Sequence, residues 1–128
     1  MTTFASPLPR VPGSVGAARR LVEIHADGLT AAQHEDAGLM VSELVTNALL
    51  HGRGPIGIRI TSHDQHVTIE VADDGEGEVA ITPVPDASGG WGLRIVDELA
   101  DSWGIRRGST RVWFRIRSIA SLSSDLTV

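Results

Sequence analysis

Apolar and polar positions recur with two different periods along the chain, and these periods predict helices and strands in a definite order. An apolar residue every three to four positions is typical of a helix with one buried face, and strict alternation is typical of a half-buried strand. The predicted helices cover residues 14–26, 30–50 and 92–101. The predicted strands cover residues 56–60, 67–71, 102–107 and 111–117. Before them, prolines at positions 7, 9 and 12 predict only an extended or turned start.

This order of elements predicts the fold class. Each helix has one apolar stripe and each strand has one apolar face, so three helices covering one face of a sheet would bury all of them. We therefore expect an α+β two-layer sandwich with a mostly antiparallel, mixed sheet. The 128 residues suit one domain, which we place at residues 1–118, with a Ser-rich disordered tail at 119–128.

The second predicted helix carries a polar stripe opposite its apolar one. Glu43, Asn47 and His51 follow at intervals of four residues, so they share one face of the helix. Taken alone, such a stripe is more typical of a solvated helix face than of a binding site.

Asp73 continues the buried row of the second predicted strand. It has the same parity as Val67, Ile69 and Val71, and a carboxylate in such a row needs hydrogen-bond donors. Gly75 and Gly77 come two and four residues after Asp73, where backbone can approach a ligand closely. The alternative is an ordinary turn aspartate just past the strand.

Residues 74–90 form a long segment without periodicity, and it ends in glycines that open the third helix. Long loops in small domains are often lids or binding loops. The segment Gly89-Gly90-Trp91-Gly92-Leu93 leads into a helix N-terminus, whose free amides and dipole favour phosphate. The alternative is a flexible loop end.

Composition narrows the chemistry that these segments can perform. The chain has no cysteine, which excludes thiolate chemistry, and all eleven of its Lys and Arg residues are arginine. A phosphate-binding lysine is therefore excluded, and phosphate would need backbone amides, arginine or a metal. The net charge of −5 predicts no direct nucleic-acid partner. Without a long apolar run or a signal-peptide core, we expect a cytoplasmic protein that does not bind membranes.

Taken together and in order, these segments resemble the motifs of the GHKL ATPases, which share the Bergerat ATP-binding fold and include histidine-kinase catalytic domains. The resemblance is closest to bacterial anti-sigma factors that are also serine protein kinases. It covers residues 10–117. It rests on SELVTNALLHG (42–52), VADDGEG (71–77), GGWGLRIVDELADSWGI (89–105) and VWFRI (112–116).

The resemblance implies ATP and Mg²⁺ as cofactors and gives roles to the polar helix stripe. Asn47 would be a ligand of Mg²⁺, an ion that prefers oxygen donors. Glu43 would act as general base on the incoming hydroxyl; the alternative is a residue that orients Asn47 or water. His51 would lie at the pocket edge, or simply end the helix.

The same resemblance assigns the adenine and phosphate contacts. Asp73 would accept a hydrogen bond from the adenine 6-amino group, and Gly75 and Gly77 would pass beneath the base. The residues that would close on the phosphates are Gly90, Trp91, Gly92 and Leu93. One departure concerns Thr110: in the family a threonine often comes directly before the last strand, but Arg111 takes that place here. Because a shift by one residue reverses the face, Thr110 is not assigned to the site.

The resemblance implies a serine/threonine protein kinase that phosphorylates an anti-sigma-factor antagonist and also binds a sigma factor. It further implies a homodimer, for which Trp113 is an interface candidate if it does not merely pack on the outer sheet face. Two alternatives remain open at this point: a non-catalytic ATP-binding module that acts by protein contact, and a structural domain without nucleotide.

Overall fold

The computed structural model describes residues 1–75, 91–106 and 110–118, and of Trp91 and Gly92 it describes the backbone. The helices are α1 (Ser14–His25), α2 (Ala31–His51) and α3 (Trp91–Leu99). The strands are β1 (Thr2–Leu8), β2 (Ile56–Ser62), β3 (His66–Ala72), β4 (Ser102–Ile105) and β5 (Val112–Arg117). The predicted tail at 119–128 lies outside the described residues, so its disorder stays a prediction.

Helix α2 is the longest element, and it begins at a complete capping box. The Thr30 side chain accepts a hydrogen bond from the Gln33 amide, and the Gln33 side chain accepts one from the Thr30 amide. Its apolar stripe is buried as the sequence predicts, over Ala37, Val41, Leu44, Val45 and Ala48. The helix ends at His51, and its C-cap Gly52 lies against Asp73, just beyond the end of β3.

The five strands form one sheet in the order β1-β2-β3-β5-β4. All four pairings among the described residues are antiparallel, so the sheet is antiparallel rather than mixed. Ile60, Ile69 and Phe114 are paired across the three central strands and are fully buried. These side chains form the inner face of the sheet and join the helices' apolar stripes in one core. The predicted α+β two-layer sandwich is confirmed.

Strand β1 was not predicted, because its prolines resemble those of a loop. It pairs with β2 from Thr2↔Ser62 to Leu8↔Ile56 and forms one edge of the sheet. Pro7 is tolerated there because an edge strand has one side without ladder hydrogen bonds. Leu8 is buried and Phe4 packs against the core, so β1 also contributes to the inner face.

No helix among the described residues combines the length and the hydrophobicity that crossing a lipid bilayer requires.

Candidate functional site

The carboxylate of Asp73 lies one residue beyond the end of β3 and is held by neighbouring donors. Its Oδ1 atom accepts hydrogen bonds from the Gly75 amide at 2.6 Å and from the Thr110 hydroxyl at 3.0 Å, with the Arg53 amide at 3.5 Å. The Thr110 hydroxyl also lies 3.1 Å from the Asp73 carbonyl oxygen. Because these donors converge on one oxygen and come from three segments, they fix the orientation of the carboxylate.

Thr110 therefore belongs to the surroundings of Asp73, although the expectation from strand parity did not assign it to the site. The expectation relied on strand alternation, but β5 begins at Val112 and Thr110 precedes it in the connection from β4. Alternation of faces does not extend into such a connection. The sequence does indicate a hydroxyl residue close to the VWFRI segment. Its side chain is not governed by strand alternation, because Thr110 lies before the start of β5.

Two positions near Asp73 require glycine, because a side chain at either one would press against the Asp73 carboxylate. A Cβ atom at Gly52 would collide with Asp73 Oδ2 and would lie 2.6 Å from the carbonyl oxygen of Ala48. A Cβ at Gly75 would lie 2.8 Å from Asp73 Oδ1 and 3.2 Å from the Thr110 methyl group. The sequence indicated Gly52 only as a helix stop, whereas the structure places it directly against the carboxylate.

The polar stripe of α2 leads toward the same place. Glu43 and Asn47 are partly buried, His51 is exposed, and Gly52 follows His51 at the end of the helix. None of the three side chains has a hydrogen bond or ion pair with another residue in the described part of the chain. Partly buried polar groups in this situation are available to water or to a ligand.

The phosphate-side prediction is only partly covered by the structure. Gly77 and Gly90 lie outside the described residues. Trp91 and Gly92 form the start of α3, where a helix N-terminus was expected. Leu93 is buried in the core, so a ligand contact there would have to use its backbone. The structure thus brings together Asp73, Gly75 and the end of α2. That the glycine segment before α3 closes on phosphate stays a prediction.

The donor set fits a nucleotide and its magnesium ion. Asp73 Oδ2 has no hydrogen-bond donor among the described residues, so this oxygen can accept from a ligand amine. No cluster of three or more His, Asp or Glu side chains in the described ranges is placed to hold a metal. A Mg²⁺ ion at Asn47 would therefore take its further ligands from phosphate and water, as this ion usually does.

The outer face of the sheet carries a second group of charges. Glu70 is 7% exposed, and its carboxylate lies 3.1 Å from Arg106 Nε and 3.7 Å from Arg111 Nη1. Glu70, Arg111 and Asp73 line an open groove of about 450 Å³ beside β1, β2 and β3. On the neighbouring strand β5, Trp113 is paired with Glu70; its ring lies over Gly104, and the Arg115 guanidinium is 5.4 Å from the ring centroid.

Comparison with known proteins agrees with this geometry. The family model of the histidine kinase-like ATPase domain matches residues 8–117. The anti-sigma F factor of Clostridium acetobutylicum is 34% identical over 86 residues, an alignment that covers 57% of this chain and 60% of that protein. The matched region thus spans less than two thirds of that relative's length. The sequence resemblance is confirmed: this chain belongs to the family of histidine kinase-like ATPase domains.

Proposed function

We propose that the chain binds ATP between α2, the end of β3 and the start of α3, and transfers the γ-phosphate to a protein hydroxyl. The family is one of ATPase domains, which makes ATP the expected nucleotide. The observation that carries the proposal is the Asp73 carboxylate, with Oδ1 held by Gly75 and Thr110 and with Oδ2 against the end of α2.

Asp73 supports the choice of adenine. Its free acceptor oxygen matches the 6-amino group of adenine, which is a donor. Guanine has a carbonyl oxygen at that position, so two acceptors would face each other. An unpaired buried polar contact costs about 1–3 kcal/mol, which favours ATP over GTP by roughly five- to 150-fold.

Glu43 and Asn47 support phosphate chemistry, because they lie nine and five residues before Gly52, the helix cap that contacts Asp73. Asn47 offers an amide oxygen to a magnesium ion, whose role is to neutralise phosphate charge. Glu43, one turn earlier on the same face, would accept the proton of the incoming hydroxyl. A general base of this kind typically contributes 10²–10⁴-fold to the rate.

The proposed phosphate acceptor is a serine or threonine of an anti-sigma-factor antagonist, and the proposed binding partner is a sigma factor. The support is the similarity to an anti-sigma F factor together with the sequence motifs. In this proposal the protein acts in the cytoplasm, as a homodimer, and phosphorylation of the antagonist decides which partner is bound.

Glu43→Gln is the variant that separates a kinase from a nucleotide binder. We expect phosphate transfer from labelled ATP to candidate antagonists to fall by about 10²-fold or more, the contribution of a general base. ATP affinity, measured by calorimetry, should change less than about twofold, because the side chain keeps its size and polarity. Transfer at the wild-type rate would remove Glu43 from the catalytic role.

Asn47→Ala is the companion variant for this experiment. It should lose the part of the ATP affinity that depends on Mg²⁺, and an unchanged Mg²⁺ dependence would contradict the metal assignment. Wild-type protein that binds ATP without transferring phosphate would support the regulatory module instead. Wild-type protein that shows no thermal shift with ATP and Mg²⁺ would support a structural domain without nucleotide.

A further inference from the structure

Arg10, just after the edge strand β1, binds the C-terminal end of α2 through its whole guanidinium group. Nη2 donates to the carbonyl oxygen of Ala48 at 2.9 Å, Nη1 to that of Leu49 at 3.0 Å, and Nε to that of Gly54 at 2.9 Å. The carbonyls in the last turn of a helix have few or no partners within the helix and carry partial negative charge. A single arginine thus binds two of them together with the turn that follows.

The same turn lies against Asp73 on its other side. The Gly52 amide donates to the Ala48 carbonyl oxygen at 2.9 Å, so this oxygen accepts hydrogen bonds from both the helix cap and Arg10. Gly52 has no room for a side chain because the Asp73 carboxylate occupies that space. The Arg53 carbonyl accepts from the Asp74 amide at 2.9 Å, which ties the turn to the residue after Asp73. Residues 52–54 are therefore held between Arg10 and the Asp73 region.

We propose that Arg10 is a positioning residue of the nucleotide site, acting through the turn at residues 52–54 on Asp73. This inference rests on the proposed function, because it assigns to Arg10 a role in presenting Asp73 to adenine. Three acceptors within 3.0 Å of Nε, Nη1 and Nη2 match the fork of a guanidinium, whereas the compact ammonium of lysine cannot reach all three.

The test compares Arg10→Met with Arg20→Met in ligand-free protein and in ATP titrations. Arg20 is an exposed arginine of α1 with no hydrogen bond or ion pair to another residue that the structure describes. We expect the Gly52 and Asp74 amides to exchange with solvent about tenfold faster in Arg10→Met, because charged hydrogen bonds that hold the turn are lost. The Ile69 amide, in the centre of the sheet, should keep its exchange rate, and Arg20→Met should resemble the wild type.

The second readout is ATP affinity, which we expect to fall about tenfold in Arg10→Met and not in Arg20→Met. Arg10→Lys should show intermediate exchange and affinity, and it keeps the test decisive if the methionine variant does not fold. Unchanged exchange at Gly52 and Asp74 would overturn the inference. Faster exchange with unchanged ATP affinity would overturn it too, because Arg10 would then be only structural. If the wild type bound no ATP, the proposed function would fail, and the exchange rates alone would decide whether Arg10 holds the turn.

Discussion

At the scale of single residues, the two oxygens of Asp73 have different surroundings. Oδ1 accepts from Gly75 and Thr110, which fixes the plane of the carboxylate. Oδ2 faces Gly52, where any side chain would occupy the same space. In the proposed function, Oδ2 is the oxygen left for adenine, so Thr110 and Gly52 would affect affinity through the Asp73 carboxylate.

Thr110→Val tests this division, because it removes the hydroxyl and nearly keeps the shape. We expect ATP affinity to fall about three- to tenfold, since a net hydrogen bond contributes about 0.5–1.5 kcal/mol. Calorimetry with ATP measures the effect, and thermal unfolding without ligand shows how much of it is structural. Thr110→Ser keeps the donor and should bind ATP nearly as tightly as the wild type. Unchanged affinity in Thr110→Val would contradict this division, and a loss in Thr110→Ser alone would assign the effect to the methyl group instead.

At the scale of elements, α2 serves both the core and the candidate site. One side of the helix is buried over residues such as Val41 and Val45, and the polar stripe carries Glu43 and Asn47. Its N-terminus is fixed by Thr30 and Gln33, and the Gln33 side chain also donates to the Arg117 carbonyl at 2.7 Å. Its C-terminus is bound by Arg10, so the two ends are held by different parts of the chain.

Thr30→Ala should lower the stability of the fold without changing ATP affinity. Loss of an N-cap costs about 1 kcal/mol, so we expect the free energy of unfolding in urea to fall by about that amount. ATP affinity should stay within about twofold, because 17 residues of helix place Asn47 about 25 Å from the cap. Thr30→Ser restores the capping oxygen and should restore stability. A large loss of affinity in Thr30→Ala would mean that the whole helix moves when its N-terminus frays.

At the scale of the whole molecule, the two-layer arrangement leaves the outer face of the sheet without a helix among the described residues. Glu70, Arg106 and Arg111 place charges on one part of this face, while the Trp113 ring over Gly104 offers an aromatic surface. In the homodimer that we propose, Trp113 would be the central aromatic contact of this face, and the charged side chains would surround it.

Trp113→Ser tests the outer face as the dimer contact. An aromatic anchor at an interface commonly contributes 2 kcal/mol or more, so we expect the dimer dissociation constant to rise by about thirtyfold. Sedimentation equilibrium measures it. Trp103→Phe is the control, because Trp103 packs against the core instead. A wild-type monomer, or equal association in Trp113→Ser and wild type, would contradict this assignment.

Much of the fold and part of the site follow from local patterns in the sequence. The periods of apolar residues identified three helices and four strands, and Thr30 marked the start of α2. The parity of Asp73 with Val71, and the glycines after it, marked a carboxylate that needs donors. Such features are readable because backbone geometry links residues two to four positions apart, whatever the rest of the chain does.

Only the tertiary structure decided which distant residues meet Asp73 and α2. Thr110 reaches Asp73 across 37 positions of the chain, and Arg10 reaches Gly54 across 44. The prolines that hid β1 are acceptable only because this strand lies at the sheet edge. Periodicity says which face of an element is buried, and it does not say which other element covers that face. The pairing of strands and the packing of helices decide that, and they therefore decide the positions of Thr110, Gly52 and Arg10.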